Sequence, residues 1–341
     1  MSKLGYFARR LGLSVFVFVG VLVMTFVVSR VVPGNPAALY AGPRPRPEQV
    51  AEIEIRLGLD QPLYIQFVHY VEDLLRGDLG ESYKSRRSIK TDLEIYLPAT
   101  LELVIAAVFI ALIIGVPVGV LAGANPRSKF DYLTRFIAIA GVSIPSFSLA
   151  MVAQFMLFSE LDLLPLGGRI SRDASLFYPI EAHTGFYLID AAITGNWKAW
   201  QDALTHLILP SLVLAAYPMG IAIRMTQASM MEVLSEPYII AARAAGLSNR
   251  VILFKLALKN AIMPALTVIG LSFAYSITGA FLVETLFSWP GVGKYVTEAI
   301  FNVDFPVVIA VTLVVTVVYI FVNLIVDLIQ AFLDPRVRLG G

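Results

Sequence analysis

Apolar residues fall into six long runs along the chain, separated by stretches rich in charge, proline and glycine. The runs are residues 11–32, 103–125, 136–159, 203–223, 260–283 and 305–326. A helix needs about 20 apolar residues to cross the hydrocarbon core of a bilayer, and each run is about that long. None carries a charge at its centre, where one Asp, Lys or Arg costs about 2.5–3.5 kcal/mol against a gain of about 0.3–0.6 kcal/mol for each Leu, Ile, Val or Phe. Arg30 lies near the end of the first run, from which its long side chain reaches the interface. Tyr187–Ile193 is apolar but too short to span. The pattern predicts an all-α integral membrane protein with six transmembrane helices.

The polar stretches have local structure of their own. Residues 47–57 and 62–76 read as amphipathic helices, started by Pro47 and Pro62 and stopped by Gly58 and Gly77. Gly34-Asn35-Pro36 and the run Gly42-Pro43-Arg44-Pro45-Arg46-Pro47 are turn or extended segments. The 160–202 segment carries Phe186, Tyr187, Trp197 and Trp200, aromatic residues suited to the headgroup level. Between the fourth and fifth runs, Ser235 is a good N-cap and Pro237 sits in a first turn, where its missing N–H costs nothing. Gly246 supplies a left-handed C-cap, and Ser248 can cap a second helix through Asn249-Arg250-Val251. A short capped helix held out of the membrane between two spans is a handle for another protein.

Composition supports the membrane reading. Of 341 residues, 57% are hydrophobic and only 15% charged, where soluble domains carry about 25%; the mean hydropathy is +0.76. There is no cysteine, which excludes disulfides, thiolate chemistry and cysteine-ligated zinc. The first run is longer than a signal-peptide core and lacks a small-residue cleavage site, so it reads as an uncleaved span. The net charge of +1 arises from cations and acids sorted by membrane side, and no nucleic-acid partner is expected. Lys3, Arg9 and Arg10 precede the first run. Arg127, Lys129 and Arg135 lie between the second and third, and Arg224, Arg243, Arg250, Lys255 and Lys259 between the fourth and fifth. Arg336 and Arg338 follow the last, whereas the short loop before it has only Lys294. The excess of cations in these short loops places both termini (1–10 and 336–341) and the 224–259 loop in the cytoplasm, with 33–97 and 160–202 outside.

Enzyme chemistry finds little support. His69, His183 and His206 are far apart, and no His-Glu-x-x-His pair exists. Gly291-Val292-Gly293-Lys294-Tyr295 lacks the spacer and the Ser or Thr of a phosphate-binding loop. Ion-coupled transporters bury ionisable residues in mid-membrane, but Glu102, Glu284 and Asp327 lie near run ends. The run centres offer Ser143, Ser146, Ser148, Gln154, Ser272, Tyr275, Ser276 and Thr278. These residues either line a polar pathway or hydrogen-bond helix to helix. Pro117, Pro145, Pro210, Pro218 and Pro264 mark kinks, as hinges of a moving pathway or as breaks that packed neighbours satisfy.

Ala241-Ala242-Arg243-Ala244-Ala245-Gly246-Leu247-Ser248, with Asn260-Ala261-Ile262-Met263-Pro264 behind it, resembles the cytoplasmic "EAA" loop of ABC-importer permeases. The Gly246-to-Pro264 spacing resembles the peptide/nickel branch of that family, whose loop is longer than in sugar or phosphate importers. The Glu that names the motif falls at Ile240, and it is commonly absent from this branch too. Similar pieces follow in family order along nearly the whole chain. They are Val32-Pro33-Gly34-Asn35-Pro36, Leu57-Gly58-Leu59-Asp60-Gln61-Pro62, Arg76-Gly77-Asp78-Leu79-Gly80, Ser143-Ile144-Pro145-Ser146-Phe147, Phe287-Ser288-Trp289-Pro290-Gly291-Val292-Gly293 and Leu333-Asp334-Pro335-Arg336-Val337-Arg338.

The resemblance implies a type I importer permease fold, with its core over 98–335 and helical extracytoplasmic insertions. It implies a non-enzymatic subunit that pairs with a second, related permease as a heterodimer. Two cytoplasmic ATP-binding subunits would hold the ATP and Mg, leaving no cofactor in this chain, and an extracytoplasmic solute-binding protein would deliver the cargo. By the same resemblance, Glu236, Tyr238, Ala241, Ala242, Arg243, Ala245, Gly246 and Leu247 form the ATPase-coupling helix and its cap. The cargo it suggests is short peptides, with oligosaccharides or nickel complexes as alternatives; a stand-alone channel or ion-coupled carrier is the reading from another class.

The topology is directly testable because the chain is free of cysteine. A single cysteine at Ser85 should react with an impermeant maleimide in intact cells. Reaction only after the membrane is breached overturns the assignment of 33–97 to the outside.

Overall fold

The computed structural model describes residues 3–31, 35–42 and 44–333. Among these the regular structure is helical, apart from one isolated bridge between Glu81 and Ser88. The helices in chain order are α1 (Lys3–Val31), α2 (Pro36–Ala41), α3 (Pro47–Arg56), α4 (Leu63–Leu75), α5 (Ile89–Ile110), α6 (Val116–Ala124), α7 (Lys129–Ser143) and α8 (Ser146–Gln154). They continue as α9 (Arg172–Phe177), α10 (Tyr187–Ile193), α11 (Trp197–Val233), α12 (Pro237–Ala244), α13 (Asn249–Val251), α14 (Leu258–Leu286), α15 (Val292–Phe301) and α16 (Phe305–Leu333). Three π-helical stretches join them: Ala111–Gly115 links α5 to α6, Phe155–Glu160 extends α8, and Ile252–Ala257 leads from α13 into α14. The expected turn at residue 34, part of the Pro/Arg run at residue 43 and the tail motif from Asp334 onward lie outside the described residues.

Among the described residues, five helical stretches are long and apolar enough to cross a membrane: Arg9–Arg30, Ile89–Ala124, Trp197–Val233, Asn249–Ile277 and Phe305–Ile329. The sixth expected span, 136–159, is broken. α7 and the extended α8 meet at 108°. Pro145 has no N–H with which to continue the ladder, and its ring drives the preceding residue out of the α region. Ile144 accordingly is extended at φ −78°, ψ 124°.

Helix ends also differ from the apolar runs. Residues 89–97, expected in the outer segment, begin the helix that carries the second run, with Asp92 in a first turn that favours an acid. The 224–259 loop is shorter than expected, because α11 continues to Val233 and helix resumes at Asn249. At 37 residues, α11 is about 55 Å long, against about 30 Å of hydrocarbon. Apolar pattern marks only the part of a helix that sits in lipid. Met, Gln, Ala and Glu in 224–233 are strong helix formers that carry the ladder on into water.

The chain divides into two compact units, one built from Pro98–Lys294 with the end of α16, the other from Leu4–Leu97 with Tyr295–Phe321. In the first, α11 is the hub and packs on α6, α7, α8, α10 and α14; 72% of its most apolar window is buried. The α6 contact is made through a glycine ladder. Gly115, Gly119 and Gly123 lie four residues apart and face Ala222, Thr226 and Met230, also four apart. A methyl group on Gly119 would stand 2.7 Å from Thr226 Cβ and 2.8 Å from the Ile223 carbonyl oxygen. α7 meets α11 as closely, through Gly141 and Gly220; a methyl on Gly220 would lie 2.6 Å from the Ala138 carbonyl. Lipid tails are as apolar as the helices, so close packing of small residues replaces the hydrophobic effect as the cause of association. At the far end of α7, the buried Asp131 carboxylate accepts from Gln227 of α11, from Arg135 and from the Arg127 N–H.

In the second unit, Leu22 of α1 packs against Ile309 and Leu313 of α16 and against Phe67, Tyr70, Val71 and Leu74 of α4. Phe26 and Phe67 meet edge to face at 5.1 Å. Buried Asp304 closes the turn after Gly80 by accepting from Ser82 Oγ at 2.5 Å, Tyr83 N at 3.0 Å and Lys84 N at 3.2 Å. α3 and α4 fall within a residue of the expected amphipathic helices, and Gly58 and Gly77 that end them have φ of 62° and 77°.

Gly119→Ala is expected to destabilise the protein by about 1–3 kcal/mol through overpacking. Gly12→Ala in α1, where no atom lies within 4 Å of the added methyl, should leave thermal stability in detergent unchanged. Equal melting temperatures for the two variants would show that the ladder does not hold α6 to α11.

Candidate functional site

α12 stands between the ends of α11 and α13 as an eight-residue helix. Pro237 occupies its first turn as the sequence predicts. The N-cap is Glu236, not Ser235, and it makes no side-chain cap bond. Ser235 Oγ donates instead to the Glu232 carbonyl at 2.6 Å and so serves the end of α11. The chain leaves α12 through Gly246 at φ +78°, a conformation in which a Cβ is costly. Leu247 N returns to the Ala242 carbonyl at 3.2 Å, and Ser248 occupies the cap position of α13 without a side-chain bond.

One face of α12 is anchored within the chain. Ile239 is 0% exposed and joins Val116 and Val120 of α6, Met230 of α11, Ile252 and Ala257 of the π stretch, and Ala261 of α14. Ala242 packs against the same cluster. It therefore does not share a free face with Ala241 and Ala245. Residues 241 and 245 are one turn apart, whereas 242 is rotated by about 100° and lies above Ile239. Tyr238 is tethered as well, its hydroxyl accepting from Asn260 Nδ2 of α14 at 2.8 Å. Glu236, Ile240, Ala241, Arg243, Ala245, Gly246 and Leu247 remain exposed, Ile240 by 60% and Leu247 by 46%. Sequence reasoning missed Ile239; its signal was the i, i+3 pairing with Ala242.

The break at Pro145 opens a cavity of about 250 Å³ between α7, α8, α11 and α14. Ser146, Tyr275 and Ser276, three of the candidate pathway residues, stand around it with Pro145, Tyr217 and Gly279. Tyr217 and Tyr275 stack at 6.0 Å with an interplanar angle of 26°, and Tyr275 is 72% exposed. The described lining carries no charged side chain. The other candidates fall elsewhere. Ser143 ends α7 exposed, and Ser148 is half-buried in α8. Gln154 Nε2 donates to the Leu166 and Leu286 carbonyls at 3.1 and 3.2 Å. Ser272 is buried and donates to the Val268 carbonyl of its own helix at 2.8 Å. The Thr278 side chain lies outside the described residues.

Polar residues at the span ends make buried networks that the sequence did not reveal. Arg169 donates twice to Glu102, at 3.0 and 2.6 Å, and once to the Gly185 carbonyl at 2.6 Å; its guanidinium lies 3.8 Å from the centre of the Tyr187 ring. Leu188 N donates to the other Glu102 oxygen at 2.9 Å. Glu284, fully buried, accepts from Thr100 Oγ1 at 2.6 Å and from Lys294 N at 3.0 Å, while Trp289 Nε1 donates to the Ala99 carbonyl at 2.9 Å. Gly293 is required there, because a methyl would stand 2.8 Å from Glu284 Oε2. His206 is buried, with Nδ1 2.8 Å from the Asp202 carbonyl oxygen. Asp190 of α10 organises the 183–185 turn, accepting from His183 N at 3.2 Å, Thr184 N at 2.9 Å, Thr184 Oγ1 at 2.7 Å and Gly185 N at 2.9 Å. Burial pushes its carboxyl up, but these hydrogen bonds outweigh burial and hold it below the usual carboxylate range.

A bundle of spanning helices with a broken span over an uncharged cavity, and one short exposed helix rooted in the bundle, defines a polytopic membrane permease. The chain belongs to the family described as binding-protein-dependent transport system inner membrane component, whose profile matches residues 115–339; the profile of that family's N-terminal region matches residues 3–104. It is a permease subunit of an ABC importer. It is 45% identical over 327 residues, 96% of this chain and 95% of the relative, to the probable D,D-dipeptide transport system permease protein of Escherichia coli K12. It is 43% identical over 336 residues, 98% and 99% of the two chains, to the dipeptide transport system permease protein of Alkalihalophilus pseudofirmus. It is 32% identical over 334 residues, 97% and 98%, to the oligopeptide transport system permease protein of Bacillus subtilis.

Because the folded value for Asp190 is depressed, its stabilisation is complete above the ordinary carboxylate range and is lost as pH falls through the folded value. Asp190→Asn presents an NH₂ group to a ring of donors and should cost about 1–3 kcal/mol at neutral pH. Hydrogen exchange across 183–190 should be faster in the variant at pH 7 and converge with wild type in acid. Identical exchange at pH 7 would show that the carboxylate does not hold the turn.

Proposed function

We propose that this chain is one permease half of an importer of short peptides. The names of its relatives support the cargo, and the uncharged lining of the cavity supports a path that engages what all peptides share rather than one side chain. In this reading a second, related permease completes the path. Two cytoplasmic subunits bind ATP and Mg and do the hydrolysis, so that this chain is not itself an enzyme. An extracytoplasmic binding protein docks on 33–97 and 160–202. In the same reading both termini and α12 are cytoplasmic, which the cation pattern supports.

The observation that carries the reading is the two-faced α12. Its free face of Ile240, Ala241, Arg243, Ala245 and Leu247 has small residues that enter a groove on an ATPase and larger ones that anchor it. Its other face joins α6, α11 and α14 through Ile239. When the ATPases close, α12 moves, and the cluster around Ile239 carries that motion into the helices that line the cavity. Ser146, Tyr275 and Ser276 then meet the solute as the crevice at Pro145 opens and shuts. Coupling of this kind is reciprocal, so a docked, loaded binding protein favours the closed ATPase pair.

Gly246→Val forces a β-branched residue into the left-handed region at a cost of about 1–2 kcal/mol and re-aims the end of α12. Peptide uptake by the reconstituted importer should be lost, with the spans still inserted and the ATPases either released or hydrolysing without solute control. Ala241→Trp, on the free face, should act alike, while Ser229→Ala, before α12, should transport normally. Normal uptake with solute-stimulated hydrolysis in Gly246→Val would make this loop a plain connector.

A further inference from the structure

The second unit contains a pocket of about 200 Å³ with walls of opposite charge. That volume equals about seven waters, the scale of a phosphate joined to an ethanolamine. On one side lies Arg30, the last residue of the spanning stretch in α1. Its Nε is buried and has no hydrogen-bond acceptor, and no carboxylate among the described residues forms an ion pair with it. Its one described contact of charge is with the Phe26 ring, at 5.5 Å from the ring centre. Tyr70 and Tyr83 stand beside it in the lining, the Tyr70 hydroxyl 3.4 Å from Thr25 Oγ1. Asp73 and Asp78 line the same pocket and are likewise without a described ion pair. One Asp78 oxygen accepts from Gly80 N at 2.8 Å. A buried guanidinium N–H with no acceptor is costly, and its natural complement is an anion. The two carboxylates are exposed to solvent, and a cation is their complement.

The depth of the pocket says where such a ligand comes from. Arg30 ends one apolar spanning stretch, and Phe305, which also lines the pocket, begins another. The pocket thus lies where hydrocarbon gives way to headgroups. Its remaining wall is apolar, with Leu74 and Ile309. α1 leaves Phe16, Met24 and Val27 exposed along its length, a face suited to acyl chains. We propose that this pocket binds the headgroup of a phospholipid that carries both phosphate and ammonium, of the phosphatidylethanolamine type. The phosphate meets Arg30 and the Tyr83 hydroxyl, and the ammonium meets Asp73 and Asp78. The lipid thereby fastens the outer end of α1 to α4 and α16. A soluble zwitterion carries the same two charges; the spanning ends that flank the pocket favour the lipid.

The assembled importer, purified in mild detergent from a membrane containing phosphatidylethanolamine and phosphatidylglycerol, can be read by native mass spectrometry for retained lipid. One phosphatidylethanolamine per copy of this chain is expected. Arg30→Gln should lower that occupancy about tenfold, the loss of a charge-assisted contact, with Arg30→Lys retaining part of it. Asp73→Asn with Asp78→Asn keeps an acceptor for Gly80 N but removes the acids, and retention should shift towards phosphatidylglycerol. The intact mass of the complex in each spectrum shows that the variant has folded and assembled. Equal retention of the two lipids by wild type, or unchanged phosphatidylethanolamine in Arg30→Gln, overturns the proposal. Displacement of the lipid by millimolar glycerophosphoethanolamine or dialanine also overturns it, in favour of a site for a soluble zwitterion.

Discussion

The distance between α6 and α11 is set by three glycines, and much of the first unit depends on it. Gly115, Gly119 and Gly123 let two backbones approach until a single added methyl would overlap Thr226 or the Ile223 carbonyl. Inside a bilayer this matters more than in water, because no hydrophobic gain separates a helix touching a helix from a helix touching lipid. What remains is dispersion, which falls away steeply with any gap. α7 uses the same device through Gly141 and Gly220. α11 is therefore clasped on two sides by small residues and can act as the rigid axis around which the broken span and α14 are placed.

The exposed helix draws its meaning from that axis. α12 is too short to be stable alone, and it persists because Ile239 enters a cluster shared with α6, α11 and α14. A load on its free face is thus delivered to the packed bundle and not to a loose loop. Close-packed helices respond by shifting as bodies. The least continuous element of the bundle is the α7–α8 break, where Pro145 has removed a ladder bond, and the cavity with its stacked tyrosines lies there.

At the other ends of these helices the polar groups are satisfied in pairs and rings. Glu102 with Arg169, Glu284 with Thr100 and the backbone, and Asp190 with its turn each place a buried carboxyl among donors. Such groups are destabilising when left unpaired and specify one geometry when paired. They hold the loops around Arg169, Asp190 and Lys294 to the helices.

The sequence by itself determined which stretches enter lipid, since burial in hydrocarbon depends on the count of apolar residues and not on their partners. It also determined the first turns of α3 and α12 and the glycine exits of α3, α4 and α12, though not the α12 N-cap, because Pro47, Pro237, Gly58, Gly77 and Gly246 act through their own backbone preferences. The kink at Pro145 was legible for the same reason, but its 108° was not. Tertiary structure alone decided which side of each element faces a neighbour. Ala242 and Ala241 are alike in chemistry, yet one packs on Ile239's cluster and the other is free, a matter of helix phase relative to α6 and α14. Gln154 and Ser272 have the polarity of a pathway, but backbone carbonyls near them in space take up their donors, whereas Ser146, Tyr275 and Ser276 surround a void. Partners brought together from positions 67 and 184 residues apart, as in Glu102–Arg169 and Thr100–Glu284, leave no periodic trace in the chain, because long-range pairing has no sequence interval to repeat.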